Sequence, residues 1–238
     1  MILTASALRR RYGGISAVDG VSLTVSEGEI VGVCGPNGAG KTTLFDLLTG
    51  FSVPDEGKIR LQMSDRIYDL TGKPPHRFAR AGILRTFQQI RLYEDRTVEE
   101  NIALARLGCK RRCLAEEAEA LLYELGLASV AEQRAGALSY GERRLVEIAR
   151  AIAGGALLLF LDEPAAGMSE WETGRLGERL AAFRETRGIG IVVIEHDLAF
   201  LKFLSDRVIC MAEGKILSEG KPEEVFGDRA VIHALLGE

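Results

Sequence analysis

A glycine-rich segment near the N-terminus constrains the fold and chemistry of this chain more than any other feature. Residues 33–43 read VCGPNGAGKTT and match the pattern G-x-x-x-x-G-K-[ST] at every fixed position. The segment follows an apolar run that predicts a strand, 29–34, and precedes a predicted helix, 41–48. In that setting the glycines let backbone N–H groups turn toward an anion, and the positive end of the helix faces the same point. The pattern therefore predicts a phosphate-binding loop rather than an ordinary glycine-rich turn.

The loop combines backbone and side-chain contributions. Lys41 can reach the outer phosphates of a nucleotide, and the Thr42 hydroxyl is a candidate Mg²⁺ ligand. The predicted nucleotide-binding residues of the loop are Gly35, Pro36, Asn37, Gly38, Ala39, Gly40, Lys41, Thr42 and Thr43.

Composition and charge exclude several classes of protein. With 47% hydrophobic residues, the 238-residue chain can form one large or two small domains, and its net charge of -4 argues against general nucleic-acid binding. Cys109 and Cys113 lack a second ligand pair for zinc, whereas Cys34 and Cys210 fit small core residues in a reducing cytosol. Without a signal peptide or an apolar run of about 18 residues, any membrane role is expected to act through a partner.

The order of predicted elements indicates an α/β protein. Residues 1–33 show strand patterns, and Val21, Leu23 and Val25 alternate with polar residues as in a sheet with one solvated face. Further along, continuous apolar strands alternate with helices, which is typical of a mostly parallel sheet covered on both faces. The other predicted strands are 58–61, 82–87, 157–161, 190–194, 208–211 and 215–218, and the other predicted helices are 98–106, 114–125, 139–153 and those starting near 171 and 229.

A helical stretch rich in Ala, Glu and Leu interrupts that alternation. We therefore predict a phosphate-loop NTPase core that includes an N-terminal antiparallel β subdomain, 1–87 and 154–238. The inserted α-helical subdomain is predicted at 88–153.

Two carboxylates follow the predicted buried strand 157–161. Asp162 and Glu163 fall at its carboxyl end, where ligands bind in open α/β sheets. Asp162 is predicted to hold Mg²⁺, directly or through water, and Glu163 to orient and deprotonate an attacking water. The alternative is a solvated acid pair at the end of a strand.

A histidine follows another apolar strand, 190–194. His196 is therefore expected at the same sheet edge, where we predict that it hydrogen-bonds a γ-phosphate. The alternative is a helix cap, because Asp197 could begin a helix.

The segment 138–142, LSYGE, predicts a helix start with Ser139 as N-cap and Glu142 three residues later. Gly141 in the first turn costs about 1 kcal/mol relative to Ala. A close approach of its backbone to an anion would explain the glycine.

The motifs at 35–43, 88, 138–142, 160–163 and 196, in that order, resemble the ATP-binding cassette (ABC) ATPase family over essentially the whole chain. The Ser-x-Gly-Glu segment is the motif that best distinguishes this family, because most other phosphate-loop ATPases lack it. The resemblance implies ATP and Mg²⁺ as cofactors and hydrolysis that uses Lys41, Glu163 and His196. It also implies that Tyr12 stacks on adenine and that Gln88 bridges the metal site to a membrane partner. Ser139 and Gly141 would contact the γ-phosphate on the opposite subunit.

Further segments narrow the resemblance to ATPase subunits of branched-chain (hydrophobic) amino-acid importers: 85–92, 165–168, 220–225 and 235–238. The implied partners are a second copy or a paralogous ATPase subunit, transmembrane permease subunits and, indirectly, a substrate-binding protein. These would assemble at the cytoplasmic face of the membrane, without nucleic acid. Ser169 departs from the Asp usual in the broad family, which weakens the expectation of crosstalk between the two ATP sites through that residue.

Two alternatives stay open. Cassettes of lipid, lipopolysaccharide or urea transporters share much of this pattern, and the sequence does not name the transported molecule. Soluble mechanical ATPases also share it, but they need a long coiled-coil insertion that 238 residues do not hold. Within the importer interpretation, the segment 91–97 mixes apolar and charged residues, which favours a groove that receives a permease helix around Leu92 and Tyr93. The alternative is an ordinary loop that enters the helix at Val98.

Overall fold

A computed structural model describes residues 1–106 and 115–236 and confirms the α/β class. Cys109, Cys113 and the start of the helix predicted at 114–125 lie outside the described residues. The strands are β1 (Ile2–Tyr12), β2 (Ile15–Ser26), β3 (Ile30–Cys34), β4 (Glu56–Met63), β5 (Arg66–Asp69), β6 (Ile83–Arg85), β7 (Leu158–Asp162), β8 (Gly190–Ile194), β9 (Arg207–Ala212) and β10 (Lys215–Gly220). The helices are α1 (Lys41–Leu48), α2 (Pro75–Arg80), α3 (Val98–Arg106), α4 (Ala115–Glu124), α5 (Tyr140–Ala153), α6 (Glu170–Arg187), α7 (Leu198–Leu204), α8 (Pro222–Gly227) and α9 (Arg229–Leu236).

A six-stranded sheet with the order β10-β9-β3-β8-β7-β6 forms the centre of the fold. All neighbours in it are parallel except β9 and β10. Ile194, the last residue of β8, lies in register with Val33 of β3 and with Asp162 of β7. The phosphate loop, the acid pair and the histidine segment therefore leave the sheet at one edge, as predicted from the carboxyl ends of their strands.

Both faces of this sheet are buried. Along β3, Ile30 and Cys34 pack into one apolar cluster with α5, α6 and α7, whereas Val31 and Val33 pack into a second cluster with α1 and the N-terminal strands. Because successive side chains of a strand point to opposite faces, the continuous apolar run supplies both clusters. The predicted two-sided covering of the sheet is confirmed.

The second sheet is antiparallel, with the order β2-β1-β4-β5. Val21, Leu23 and Val25 are buried on one face of it, as their alternation predicted. We did not predict β5, whose four residues are all exposed and so carry no apolar alternation. β5 is formed through the tight turn that precedes it, where Ser64 has a positive φ of 50°.

The range 88–153 contains α3, α4 and α5, and α3 packs against α5. The bounds predicted for α1, α3 and β8 agree with the structure. α8 was not predicted, although a proline at its first position and a glycine at its end are helix start and stop signals. The subdomain boundaries themselves stay a prediction. Within the described ranges, no helix is long and apolar enough to span a bilayer.

Candidate nucleotide-binding and hydrolysis site

The phosphate loop connects β3 to α1 in a conformation that requires two of its glycines. Gly35 has φ 141°, and a Cβ there would lie 2.1 Å from the Met211 carbonyl oxygen. Gly40 has φ 98°, and a Cβ would lie 2.0 Å from the carbonyl oxygen of Ala17. A side chain at either position would collide with the neighbouring backbone. Close packing therefore requires glycine there, as does the conformation of the turn.

Lys41 folds back over this loop. Its Nζ donates hydrogen bonds to the carbonyl oxygens of Gly35, at 2.7 Å, and Pro36, at 2.9 Å. The residue is only 7% exposed, and burial lowers the pKa of its ammonium while the nearby Glu163 carboxylate opposes that shift. Lys41 therefore brings a largely desolvated positive charge to the loop.

Glu163 joins two of the other predicted residues. Its Oε1 lies 3.0 Å from His196 Nε2, and its Oε2 accepts a hydrogen bond from Gln88 Nε2 at 3.3 Å. The Glu163 backbone has φ 47°, a left-handed conformation that costs a non-glycine residue energy and occurs often at functional sites. Glu163, Gln88 and His196, which are distant in sequence, therefore meet at the carboxyl edge of the sheet.

The helix cap considered as an alternative at the histidine segment is present, but His196 does not form it. Asp197, rather than His196, caps α7, and its Oδ1 accepts hydrogen bonds from the backbone N–H groups of Ala199 and Phe200. The His196 ring is thus available to Glu163.

Asp162 has a charged partner that we did not predict. Arg85, the last residue of β6, donates from Nη2 to Asp162 Oδ2 at 2.8 Å and forms a second ion pair with Asp46 of α1. Burial raises the pKa of Asp162, and the Arg85 hydrogen bond opposes that shift. Arg85 therefore joins the helix after the phosphate loop to the strand that carries the acid pair.

The backbone next to Gln88 is held by a second missed residue. Arg144 of α5 is fully buried and donates to the carbonyl oxygens of Phe87, at 2.7 Å, and Gln88, at 2.9 Å. Its charge is paired with Glu147 at 2.8 Å. The helix that starts at Ser139 is thereby bonded to the segment that carries Gln88.

Glu195 is a third missed residue. It is buried, which raises its carboxyl pKa, and it accepts hydrogen bonds from the backbone N–H groups of Ala165, at 2.8 Å, and His196, at 3.2 Å. The loop after the acid pair is therefore fixed to the end of β8. The sequence places Glu195 beside His196 but gives no signal that it reaches Ala165.

Ser139 lies at the start of α5 and Gly141 in its first turn. The predicted cap is present, since Ser139 Oγ accepts from the Glu142 N–H and Glu142 Oε2 accepts from the Ser139 N–H. Both residues line a cavity of about 250 Å³ whose other walls come from α5, α6 and the preceding loops, and no phosphate-loop residue is among them. A Cβ on Gly141 would lie 2.9 Å from Glu172 Oε1, so an anionic group of this same chain approaches the glycine.

Tyr12, the predicted adenine contact, is half-exposed at the end of β1. Its hydroxyl lies 3.3 Å from Ser52 Oγ, and the Arg10 guanidinium lies over its ring, 4.8 Å from the centroid. Stacking on adenine stays a prediction.

The residues present fit a magnesium ion that a nucleotide helps to hold. Thr42 offers an exposed hydroxyl at the start of α1, and Asp162 offers a carboxylate at the end of β7. Mg²⁺ prefers oxygen ligands and commonly takes one or two carboxylates together with phosphate oxygens and water. Within the described ranges, no group of three or more His, Cys, Asp and Glu side chains could hold a metal.

Comparisons with known proteins point to one family. The family model described as ABC transporter matches residues 18–166. BraF of Pseudomonas aeruginosa, a high-affinity branched-chain amino acid transport ATP-binding protein, is 38% identical over all of this chain and 98% of BraF. The ADP conformation of an ATP-binding cassette of an ABC transporter has a TM-score of 0.88 at 29% identity, covering 100% of this chain and 99% of that one. A dimeric bacterial cassette has a TM-score of 0.77 at 26% identity, covering 92% and 98%.

Proposed function

Because this chain belongs to the ABC transporter family, we propose that it is the ATP-hydrolysing subunit of an importer for branched-chain or other hydrophobic amino acids. The observation that carries the proposal is the meeting of Glu163, His196 and Gln88 at the edge of the sheet from which the phosphate loop also emerges. The choice of substrate rests on the full-length similarity to BraF.

Each residue of the site has a role in this proposal. The loop N–H groups and Lys41 bind the phosphates of ATP. Glu163 orients the attacking water and accepts its proton, and His196 and Gln88 hold the Glu163 carboxylate and contact the γ-phosphate and the water. Thr42, Asp162 and Gln88 would hold Mg²⁺, which would supply positive charge against the phosphate oxygens. Tyr12 stacks on adenine.

The γ-phosphate contacts of Ser139 and Gly141 require a second subunit in this proposal. These residues line a cavity without phosphate-loop residues, which supports a site completed by the opposite chain. The second chain is either another copy or a paralogous ATPase subunit, and the dimeric cassette among the structural relatives supports such pairing.

Permease subunits dock, we propose, at the groove beside the Gln88 segment. A cavity of about 490 Å³ lies there, lined by apolar groups such as Leu84 and Phe87 and by charged groups such as Arg91 and Arg150. Apolar side chains with a charged rim suit a short helix of a partner. Through these permeases the subunit works at the cytoplasmic face of the membrane, and a substrate-binding protein delivers the amino acid to them.

The test is transport into proteoliposomes that contain this chain, its permease subunits and any paralogous ATPase subunit, with ATP inside the vesicles on the side of this chain and the substrate-binding protein added outside. We expect uptake of labelled leucine, isoleucine and valine that stops without ATP. Uptake of urea, or extraction of lipid without amino-acid uptake, would favour the alternative cassettes. Nucleotide hydrolysis without association with any permease would favour a soluble ATPase.

A further inference from the structure

Arg85 is a buried cation between two carboxylates at the proposed metal site. Its side chain is 6% exposed, it donates to Asp162 at 2.8 Å, and its other terminal nitrogen pairs with Asp46. An arginine in this position supplies Asp162 with the positive charge that a metal ion would otherwise supply.

Three aromatic rings keep the guanidinium in place. The Arg85 Cζ lies 5.8 Å from the ring centroid of Phe45, 5.7 Å from that of Phe51 and 5.3 Å from that of Phe87. Cation–π contacts of this kind favour a planar, weakly hydrated guanidinium over a lysine ammonium. The bridge is therefore a built feature of the nucleotide-free fold rather than a chance surface ion pair.

We propose that Arg85 is a positioning residue that keeps the empty site closed to divalent cations until a nucleotide supplies phosphate oxygens. Because Asp162 is already neutralised, a free ion must compete with the bound guanidinium for it, and the other two proposed ligands, Thr42 and Gln88, carry no charge. Phosphate oxygens provide the extra ligands and negative charge that tip this competition. The inference rests on the proposed function, since it assigns Asp162 to the metal.

Arg85 lies on the same short segment as Gln88, which contacts the second acid of the pair. Three residues later, Gln88 donates to Glu163, so one short segment contacts both members of the acid pair. The neutralising cation and the Gln88 amide thus belong to the same stretch of backbone.

The experiment measures binding of Mn²⁺ alone to the nucleotide-free protein, from the electron paramagnetic resonance signal of free Mn²⁺. We expect weak binding to the wild type and at least about tenfold tighter binding to Arg85→Gln, which is the factor a neighbouring charge typically contributes at a carboxylate. Arg85→Lys keeps a positive charge but cannot span both carboxylates, so its affinity should be intermediate. In Arg85→Gln/Asp162→Asn the gain should disappear.

Arg207 provides a matched control. It also bridges two carboxylates, Glu29 and Glu219, away from the phosphate loop, so Arg207→Gln should leave Mn²⁺ binding as in the wild type. Circular dichroism melting shows which variants are folded, and Arg85→Lys is the second variant if Arg85→Gln unfolds. Unchanged Mn²⁺ affinity in every folded variant at position 85, or an equal gain in Arg207→Gln, would overturn the inference. If the wild type still bound MgATP, the proposed function would stand despite that failure.

Discussion

Glu163 combines a strained backbone with the proposed role of general base. Its φ of 47° places a side chain in the left-handed region, which costs of the order of 1 kcal/mol for a residue with a Cβ. The cost is offset by the packing of the strand that precedes it and by the bond from the Glu163 N–H to the Ile194 carbonyl, at 3.0 Å. The strain positions the carboxylate between His196 and Gln88.

Replacing Glu163 with glycine should therefore stabilise the nucleotide-free protein by about 1 kcal/mol while it abolishes hydrolysis. Glu213→Gly is the matched control, because Glu213 has φ 49° in the turn between β9 and β10. It should stabilise the protein similarly and leave ATPase activity intact. Urea denaturation and a phosphate-release assay measure the two effects. Lower stability of Glu163→Gly would contradict the strain argument.

Glu163→Gln removes the proton acceptor but keeps the shape of the side chain. We expect ATP affinity within a few-fold of the wild type, and a rate of hydrolysis reduced by about 10²–10⁴-fold, as for loss of a general base. Equilibrium binding of a fluorescent ATP analogue and single-turnover hydrolysis separate the two quantities. A variant that hydrolyses ATP at the wild-type rate would remove Glu163 from the chemistry.

Lys41→Ala should weaken binding of MgATP by at least about 100-fold, because it removes the charge-assisted contacts to the outer phosphates. It also frees the Gly35 and Pro36 carbonyl oxygens that the ammonium now occupies. The same fluorescent analogue measures the change. Affinity near that of the wild type would contradict the assignment of the loop.

The phosphate loop and the acid pair could be predicted because their chemistry is local in sequence. The positive φ values of Gly35 and Gly40 leave a fixed glycine pattern, and the acids follow directly on an apolar strand. The contacts of Arg85 with Asp162 and of Arg144 with the Gln88 carbonyl could not be predicted, because these partners lie far away along the chain. When a charged residue is buried against partners that are distant in sequence, no hydrophobic periodicity and no local motif marks its position.

At the scale of secondary structure elements, three helices begin with reciprocal caps. Ser139 pairs with Glu142 at α5, Ser169 with Glu172 at α6, and Thr97 with Glu100 at α3. Two of these caps surround the same cavity, and Glu172 reaches Gly141. Neither Thr97 nor Glu100 lines that cavity, so the cap at α3 offers a comparison.

Ser139→Ala and Thr97→Ala should each cost about 1 kcal/mol of stability, since each removes one cap acceptor. If Ser139 also contacts nucleotide on the opposite subunit, only Ser139→Ala should reduce the ATP-dependent dimer formed in the Glu163→Gln background. Light scattering with and without MgATP measures the dimer, and thermal melting measures the caps. Equal dimer in both variants would restrict Ser139 to its structural role.

Element bounds were predictable where periodicity and capping agreed. α1, α3 and β8 combine a clear apolar pattern with a defined start or stop, and their predicted bounds are confirmed. β5 has no buried residue and pairs with β4 at the edge of its sheet, so its position depends on the hairpin turn rather than on burial.

At the scale of the whole molecule, the proposed permease groove can be tested at an exposed tyrosine beside it. Leu92 and Tyr93, where the sequence predicts the groove, do not line the cavity of about 490 Å³, but the Tyr93 ring centroid lies 5.3 Å from Cζ of Arg150, which does. The Tyr93 backbone is anchored by buried Asn101, whose Oδ1 accepts from the Tyr93 N–H at 2.9 Å, while the side chain is 55% exposed. Leu92, in contrast, is partly buried against the core and is a less specific probe.

Tyr93→Ala should reduce amino-acid transport by at least about tenfold and leave the ATPase activity of the isolated subunit nearly unchanged, as expected for an interface contact of more than about 1 kcal/mol. Tyr123→Ala, at an 81% exposed position on α4, is the matched control and should affect neither. Parallel loss of both activities would indicate a folding defect, and unchanged transport would exclude Tyr93 from the interface.

The bonds from Arg144 to the Phe87 and Gln88 carbonyl oxygens join the segment that carries Gln88 to α5, the helix capped by Ser139. The Gln88 side chain touches the acid of its own site, whereas Ser139 is proposed to serve the site of the other subunit. In the proposed dimer, a change at one ATP would therefore be passed to the other through this hydrogen-bonded connection. The two turnovers of that dimer would then not be statistically independent events, and the rate at which one ATP is consumed would depend on the state of the other.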